Sequence, residues 1–151
     1  MPSTLTHKLI DKLHFPLAKK FYQAHYPSGK ANKADPIWAL TEGYQIRVCL
    51  RLKQFEDCQL LTAMVTHPNF RKQGLGKSLL TALISDSTRP LLTKPCYCFA
   101  FTHLEGFYQK AGFTSITVEE LPIALKSRYL AYTQSGKALI PMKFALLIRS
   151  S

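Results

Sequence analysis

Apolar and polar residues alternate in some runs of the chain and recur at helical spacing in others, and the two periods mark out strands and helices. The first run, Thr4 to Ile10, alternates as a strand does. Leu13, Leu17, Phe21 and Ala24 then recur at helical spacing and predict the buried face of a helix, with Pro16 tolerated in its first turn. Proline, serine, glycine and asparagine between Tyr26 and Pro36 end that helix in a loop. Three strands follow: Ile37 to Thr41, Tyr44 to Lys53, and Cys58 to Val65, the first pair joined through Glu42 and Gly43. Their short polar connections predict an antiparallel meander. The third contains QLLTAMV, apolar on both faces, as suits a central strand covered from both sides.

Beyond this strand the period changes to that of a helix. Leu75, Leu79, Leu80, Leu83 and Ile84 share one helical face, so the stretch RKQGLGKSLL places two glycines at a strand-to-helix junction. A further strand, CYCFAF, covers Cys96 to Phe101. The segment HLEGFYQKAGF then carries a helical face of Leu104, Phe107, Tyr108 and Ala111, closed by Gly112 as a left-handed cap. Leu121, Leu125, Tyr129 and Tyr132 mark a last helix, with Glu119 and Glu120 suited to its positive end and Pro122 in its first turn. A strand over Ala138 to Ile148 closes the series. The expected class is α/β (α+β): a mixed, mostly antiparallel sheet flanked by helices.

At 151 residues and 46% hydrophobic composition, the chain is long enough for one domain with its own core and too short for two, so a single domain over 1–151 is expected. Cys49, Cys58, Cys96 and Cys98 all lie in apolar, strand-like stretches, which predicts reduced core thiols. Cys96-x-Cys98 has no second Cys or His pair at ligand spacing, so no metal is expected. The N-terminus has no apolar h-region, and no apolar run approaches the roughly 20 residues of a membrane span. A cytoplasmic protein is expected. Twenty Lys and Arg against nine Asp and Glu give a formal charge of +11, a field that draws in anions. The basic residues are scattered and no aromatic-basic RNA motif stands out, so charge alone does not favour nucleic acid over a phosphorylated cofactor.

The first N–H groups of the helix after the two glycines have no intrahelical partners, and they sit at its positive dipole end, which suits a pyrophosphate. Gly74 and Gly76 would let a phosphate approach the backbone; equally, they would permit a tight turn and close helix packing. Walker A fails because it needs glycine where Arg71 stands. The dinucleotide fingerprint fails because Leu79 replaces its last small residue and no acidic ribose partner follows. The pattern [QR]-x-x-G-x-[GA] does fit, through Arg71, Gly74 and Gly76. It resembles the acyl-CoA pyrophosphate loop of the GNAT superfamily of N-acetyltransferases. The downstream segment HLEGFYQKAGF is similar to that family's aromatic-Tyr-x-x-x-Gly-Phe signature, at the family's usual separation, and the order of elements resembles it over the whole length.

The resemblance implies a cofactor, a reaction and a set of residues. Val65, Thr66 and His67 would offer backbone groups to the pantetheine arm of acetyl-CoA in a gap between splayed central strands, and Arg71, Lys72, Gln73, Gly74, Leu75, Gly76 and Lys77 would surround the pyrophosphate. Tyr108 matches the position that protonates the departing thiolate; a phenol with a pKa of about 10 is protonated at neutral pH and suited to that task. The family's frequent strand carboxylate is missing, which leaves His67, His103, Glu105 or an ordered water as the base. Phe101 replaces a frequent polar residue seven positions before the tyrosine.

Acceptors in such a protein enter between the early helix and loop and the C-terminal segment, which makes Phe21, Tyr22, His25, Tyr26, Trp38, Tyr129 and Tyr132 candidates for lining a pocket or for core. The implied activity is direct acetyl transfer in a ternary complex to an amine on a small molecule or peptide, by a monomer or homodimer without a membrane partner. No cysteine is placed to act as a covalent nucleophile. A CoA-binding regulatory module without catalysis and a basic RNA-binding protein are the alternatives.

Overall fold

A computed structural model describes residues 5–29 and 31–145. In chain order the elements are β1 (Thr6–Leu9), α1 (Phe15–His25), β2 (Ile37–Glu42), β3 (Gln45–Gln54), β4 (Gln59–Thr66), α2 (Leu75–Ser85), β5 (Cys96–Phe101), α3 (Glu105–Lys110), β6 (Phe113–Ser115), α4 (Ile123–Gln134) and β7 (Leu139–Phe144). The strands form one sheet in the order β1-β2-β3-β4-β5-β7-β6. Only β4 and β5 run parallel; every other neighbouring pair is antiparallel. The mixed, mostly antiparallel sheet flanked by helices is therefore the architecture observed.

Alternation along the strands divides the interior between two faces. Trp38 and Leu40 of β2, Val48, Leu50 and Leu52 of β3, and Cys96, Cys98 and Ala100 of β5 pack with Leu75, Leu79, Leu80 and Leu83 of α2 and with Tyr108 of α3. Ile37, Ala39 and Cys49 turn to the other face and meet Ala18, Phe21 and Tyr22 of α1. On that same face, Leu60 and Tyr97 meet Leu121, just before α4, and Leu125 of α4. Thus α2 and α3 cover one side, α1 and α4 the other.

Two features of β4 position the site. Its ladder to β5 consists of Gln59↔Cys96, Leu60↔Tyr97 and Leu61↔Cys98, and beyond Leu61 the two strands continue without pairing. The central strands are splayed. On its other edge, the register with β3 shifts between Cys49↔Val65 and Arg51↔Thr62, so Ala63 and Met64 oppose Leu50. This is a β-bulge, and Ala63 adopts the left-handed φ of 55° that such an insertion calls for. The Tyr22 hydroxyl reaches across from α1 and donates to the Ala63 carbonyl at 2.9 Å, tying the helix to the distorted strand.

The first helix departs from its predicted face. It starts at Phe15, after Asp11 accepts hydrogen bonds from both the backbone and ring of His14, so Leu13 lies outside it and is 81% exposed. Ala18, Phe21 and Tyr22 form the buried stripe, while Leu17 and Ala24 face outward. The short strand β6 is an element that the polarity pattern did not predict. Of the predicted terminal elements, Thr4 and the stretch from position 146 to Ile148 lie outside the described residues.

Candidate active site

The unpaired ends of β4 and β5 open a cleft of about 480 Å³. Thr62, Ala63 and Met64 line it from β4, and Cys98, Phe99, Ala100 and Phe101 from β5. Leu104 and Tyr108 close it on one side of the sheet; Tyr26, Ser28, Gly29, Arg51, Tyr132, Lys137 and Leu139 complete it on the other.

Val65, Thr66 and His67 continue β4 past the bulge, half-buried. One edge of this segment is occupied by β3, through Cys49↔Val65, Val48↔Thr66 and a hydrogen bond from the His67 N–H to the Arg47 carbonyl at 2.7 Å. The opposite edge has no strand on it, because pairing with β5 has already ended. An extended ligand with amide groups can dock along such an edge as an added strand would. His67 itself caps a short turn, its Nδ1 accepting from the Asn69 N–H at 3.1 Å, and its ring packs against His25 and Phe70. His25 is held below the usual histidine range by burial and then by the charges of His67 and Arg71. His67 does not line the cleft, and its side chain serves the turn.

The glycine loop follows directly. Arg71 reaches back to the Thr66 carbonyl, Nε to O 3.4 Å, and Lys72 and Gly74 both adopt left-handed backbones, with φ of 64° and 73°. Gly74 is the N-cap of α2 and supplies no side-chain cap, while the first intrahelical bond runs from the Ser78 N–H to the Gly74 carbonyl. The N–H groups of Leu75, Gly76 and Lys77 thus open the helix without partners inside it. Leu75 sends its side chain into the core, so only its backbone is available to a ligand. Arg71, Lys72, Gln73 and Lys77 are exposed around the same helix end.

Gly76 distinguishes the two readings of the loop. A Cβ added there would meet the Met64 Sδ at 3.4 Å and the Phe107 Cζ at 3.9 Å, ordinary contact distances. Packing within the chain therefore does not require glycine here, although glycine weakens a helix. Gly74 is needed for its turn; at Gly76 nothing within the chain calls for glycine, and the helix end stays open to the approach of a ligand. A pyrophosphate fits this helix end on that ground.

Tyr108 is 8% exposed, its ring set edge-on against Phe107 and Phe113 at 5.0 and 5.7 Å between centroids. Its hydroxyl makes no hydrogen bond with the described residues, and burial, with Cys98 alongside, pushes the phenol above its usual range. It stays a proton donor at any physiological pH. Gly112, at φ 108°, ends the segment as predicted; a Cβ there would come within 3.1 Å of the Phe144 ring.

Not all the candidates converge. Of the predicted acceptor-side residues, Tyr26 and Tyr132 line the cleft. Phe21 and Tyr22 are core beneath α1, Tyr129 donates to the Leu139 carbonyl at 2.8 Å behind Phe99, and Trp38 lies on the opposite face of the sheet, stacked on His7. His103 and Glu105 also stay out of the cleft: His103 stacks on Phe101, and Glu105 accepts from the Ser115 hydroxyl at 2.5 Å. No Asp, Glu or His lines the cleft among the described residues. Arg51 and Lys137, absent from the sequence candidates, do line it. Arg51 is buried, donates to the Gly29 carbonyl at 2.8 Å and lies 3.8 Å from the Asp35 carboxylate. A cation inside a strand, or one in the loop before β7, carries no periodic signal that would have marked it.

The four cysteines are free and buried, and burial pushes the thiols of Cys49 and Cys96 up to about 12. Among the described residues no group of three or more His, Cys, Asp or Glu is arranged to hold a metal ion, and no helix is long and apolar enough to cross a membrane.

Comparison with known proteins bears on the same segments. Residues 33–115 match the family described as Acetyltransferase (GNAT) domain. Comparison with curated protein sequences gave no match. Among solved structures, the chain is similar to a putative N-acetyltransferase from Lactobacillus plantarum, with TM-score 0.67 and 16% identity over 96% of this chain and 100% of that one. It is similar to the ribosomal-protein-S18-alanine N-acetyltransferase from Escherichia coli, with TM-score 0.63 and 16% identity over 97% and 98%. It also resembles N-acetylglutamate synthase from Neisseria gonorrhoeae complexed with coenzyme A and N-acetyl-glutamate, with TM-score 0.66 and 17% identity; 98% of this chain is covered, but it spans only 36% of that enzyme.

Proposed function

Because the chain belongs to the GNAT acetyltransferase family, we propose that it transfers an acetyl group from acetyl-CoA directly to the amine of an acceptor bound in the cleft between β4 and β5. The observation that carries this reading is the meeting of three features: an open strand edge, an uncapped helix start with a dispensable glycine, and a buried phenol. The N–H groups of Leu75, Gly76 and Lys77 bind the pyrophosphate, helped by the charges of Arg71, Lys72 and Lys77. Val65 and Thr66 receive the pantetheine amides along the free edge of β4. The Neisseria enzyme named above is complexed with coenzyme A and N-acetyl-glutamate, which supports the reading.

Within the cleft, the acceptor nitrogen attacks the thioester carbonyl, a C–N bond forms, and the C–S bond breaks. Tyr108 gives its proton to the leaving thiolate, and the proton released by the nitrogen returns to the phenolate through water. Among the described residues no cleft carboxylate or imidazole stands ready to take that proton, so the amine enters the reaction as its neutral form. The four buried thiols, un-ionised at neutral pH, have no part as nucleophiles.

The empty place of the base also favours a second reading, a module that binds CoA without turning it over. Thermal unfolding and thiol release separate the two. Acetyl-CoA raises the melting temperature in both readings, well beyond NAD or ATP at matched concentration, since a ligand selective for the native state stabilises it by mass action. Only an enzyme releases free thiol from acetyl-CoA when an amine mixture is added. Stabilisation without amine-dependent thiol release establishes the module; equal stabilisation by all three ligands contradicts both.

A further inference from the structure

The acceptor side of the cleft has a sign. Two cations, Arg51 and Lys137, line it, and no carboxylate does among the described residues. Arg51 is set deep, and its charge is answered by Asp35 nearby. Lys137 differs in that it stands at the rim, exposed, just before β7, and forms no ion pair with the described residues.

The wall behind Lys137 is built. Its Nζ lies 5.1 Å from the centre of the Tyr132 ring, a cation–π distance. Tyr132 meets Phe99 edge-on at 6.1 Å, and Phe99 is backed by Tyr129, whose hydroxyl is tied to the Leu139 carbonyl. The backing rings rest on strands β5 and β7, so the lysine is set against a rigid apolar surface. Lys137 lines the cleft from the segment before β7, whereas the glycine loop follows β4 and is not part of the cleft lining.

We propose that this rim selects acceptors in which the amine is accompanied by a carboxylate, with Lys137 as the specificity-determining cation that receives the carboxylate while the apolar body lies against Phe99 and Tyr132. The inference rests on the acetyltransferase reading. It follows from electrostatic complementarity, because a simple amine is mostly ammonium in solution and must approach, before it gives up its proton, a rim whose uncompensated charge has the same sign, whereas a carboxylate beside the amine offsets that repulsion. Polyamines, doubly cationic, are disfavoured; amino acids with apolar side chains are favoured.

The test compares matched pairs in the thiol-release assay: phenylalanine with phenethylamine, and leucine with 3-methylbutylamine, each pair differing by the carboxylate. The carboxylate member is expected to give a kcat/KM roughly tenfold higher, carried mainly by KM and shrinking as salt is raised. Lys137→Glu brings the ratio to about one or below, and Lys137→Arg keeps it. Melting temperature and acetyl-CoA affinity of each variant establish that it is folded and loaded. A wild-type ratio of one or less, activity confined to amines without a carboxylate, or an undiminished ratio in Lys137→Glu overturns the proposal while leaving acetyl transfer standing. Absence of thiol release with every amine overturns both.

Discussion

Tyr108 is at once a packing residue and a cleft residue. Its ring contacts Phe107 and Phe113 in the core while the residue lines the gap between β4 and β5. Tyr108→Phe keeps the ring and removes an oxygen that has no hydrogen-bond partner among the described residues, so stability should change by only about 0.5 kcal/mol. Turnover should fall by about a hundredfold, the low end for general-acid catalysis because a thiolate leaves readily, with acetyl-CoA affinity nearly unchanged. Melting temperature, affinity and turnover on one preparation check this; full turnover in the variant would make the tyrosine structural. The pH profile follows from the same burial. Burial disfavours the phenolate and raises the phenol's pKa, so the donor persists as pH rises, and wild-type turnover should climb as the amine deprotonates. A fall centred near the ordinary phenol value of about 10 would contradict this. At this scale spacing alone marked out Gly74, Gly76 and Tyr108, which the structure places at the start of α2 and in the cleft lining. The sequence was silent on Arg51, whose partners Gly29 and Asp35 lie far from it in the chain, and on Lys137, an exposed cation in a loop. It left Phe21, Tyr22, Trp38 and Tyr129 open between pocket and core, because alternation tells which residues share a face but not which of them meet the cleft, and none of the four lines it.

The start of α2 carries the element-scale claim. A glycine that the packing around it does not need gives up helix stability, by a few tenths to about 1 kcal/mol relative to alanine. Gly76→Ala should therefore leave the ligand-free melting temperature equal or slightly higher, while weakening acetyl-CoA binding because the new methyl enters the space of the approaching ligand. Gly76→Glu should abolish binding by adding negative charge there. Calorimetric affinity beside thermal unfolding measures both, and unchanged affinity in folded variants would assign Gly76 no part in the cradle. Helices and strands with long, clean periods were legible, α2 and the β2–β4 meander above all. The buried stripe of α1 was not, since Leu13 suggested a start that the Asp11–His14 turn displaces. Nor was β6, three residues long and defined only by its pairing with β7.

For the molecule as a whole, strand order decides where chemistry can occur. The pairing of β5 with β7, and of β7 with β6, joins segments far apart in sequence, and no local pattern encodes it. The splay between β4 and β5 was anticipated through the family resemblance, whereas its physical basis is visible only in the ladder: three paired positions, then a bulge at Ala63 held by Tyr22. That gap is where the strand edge, the helix end and the phenol come together, so locating the cofactor tests the account most directly. The measurement is a crystal structure of the protein with acetyl-CoA. The account predicts the pyrophosphate on the N–H groups of Leu75, Gly76 and Lys77, the pantetheine along residues 65–66, and the Tyr108 hydroxyl within hydrogen-bonding reach of the thioester sulfur. A pyrophosphate bound elsewhere, or a thioester outside the gap and beyond reach of Tyr108, would contradict it.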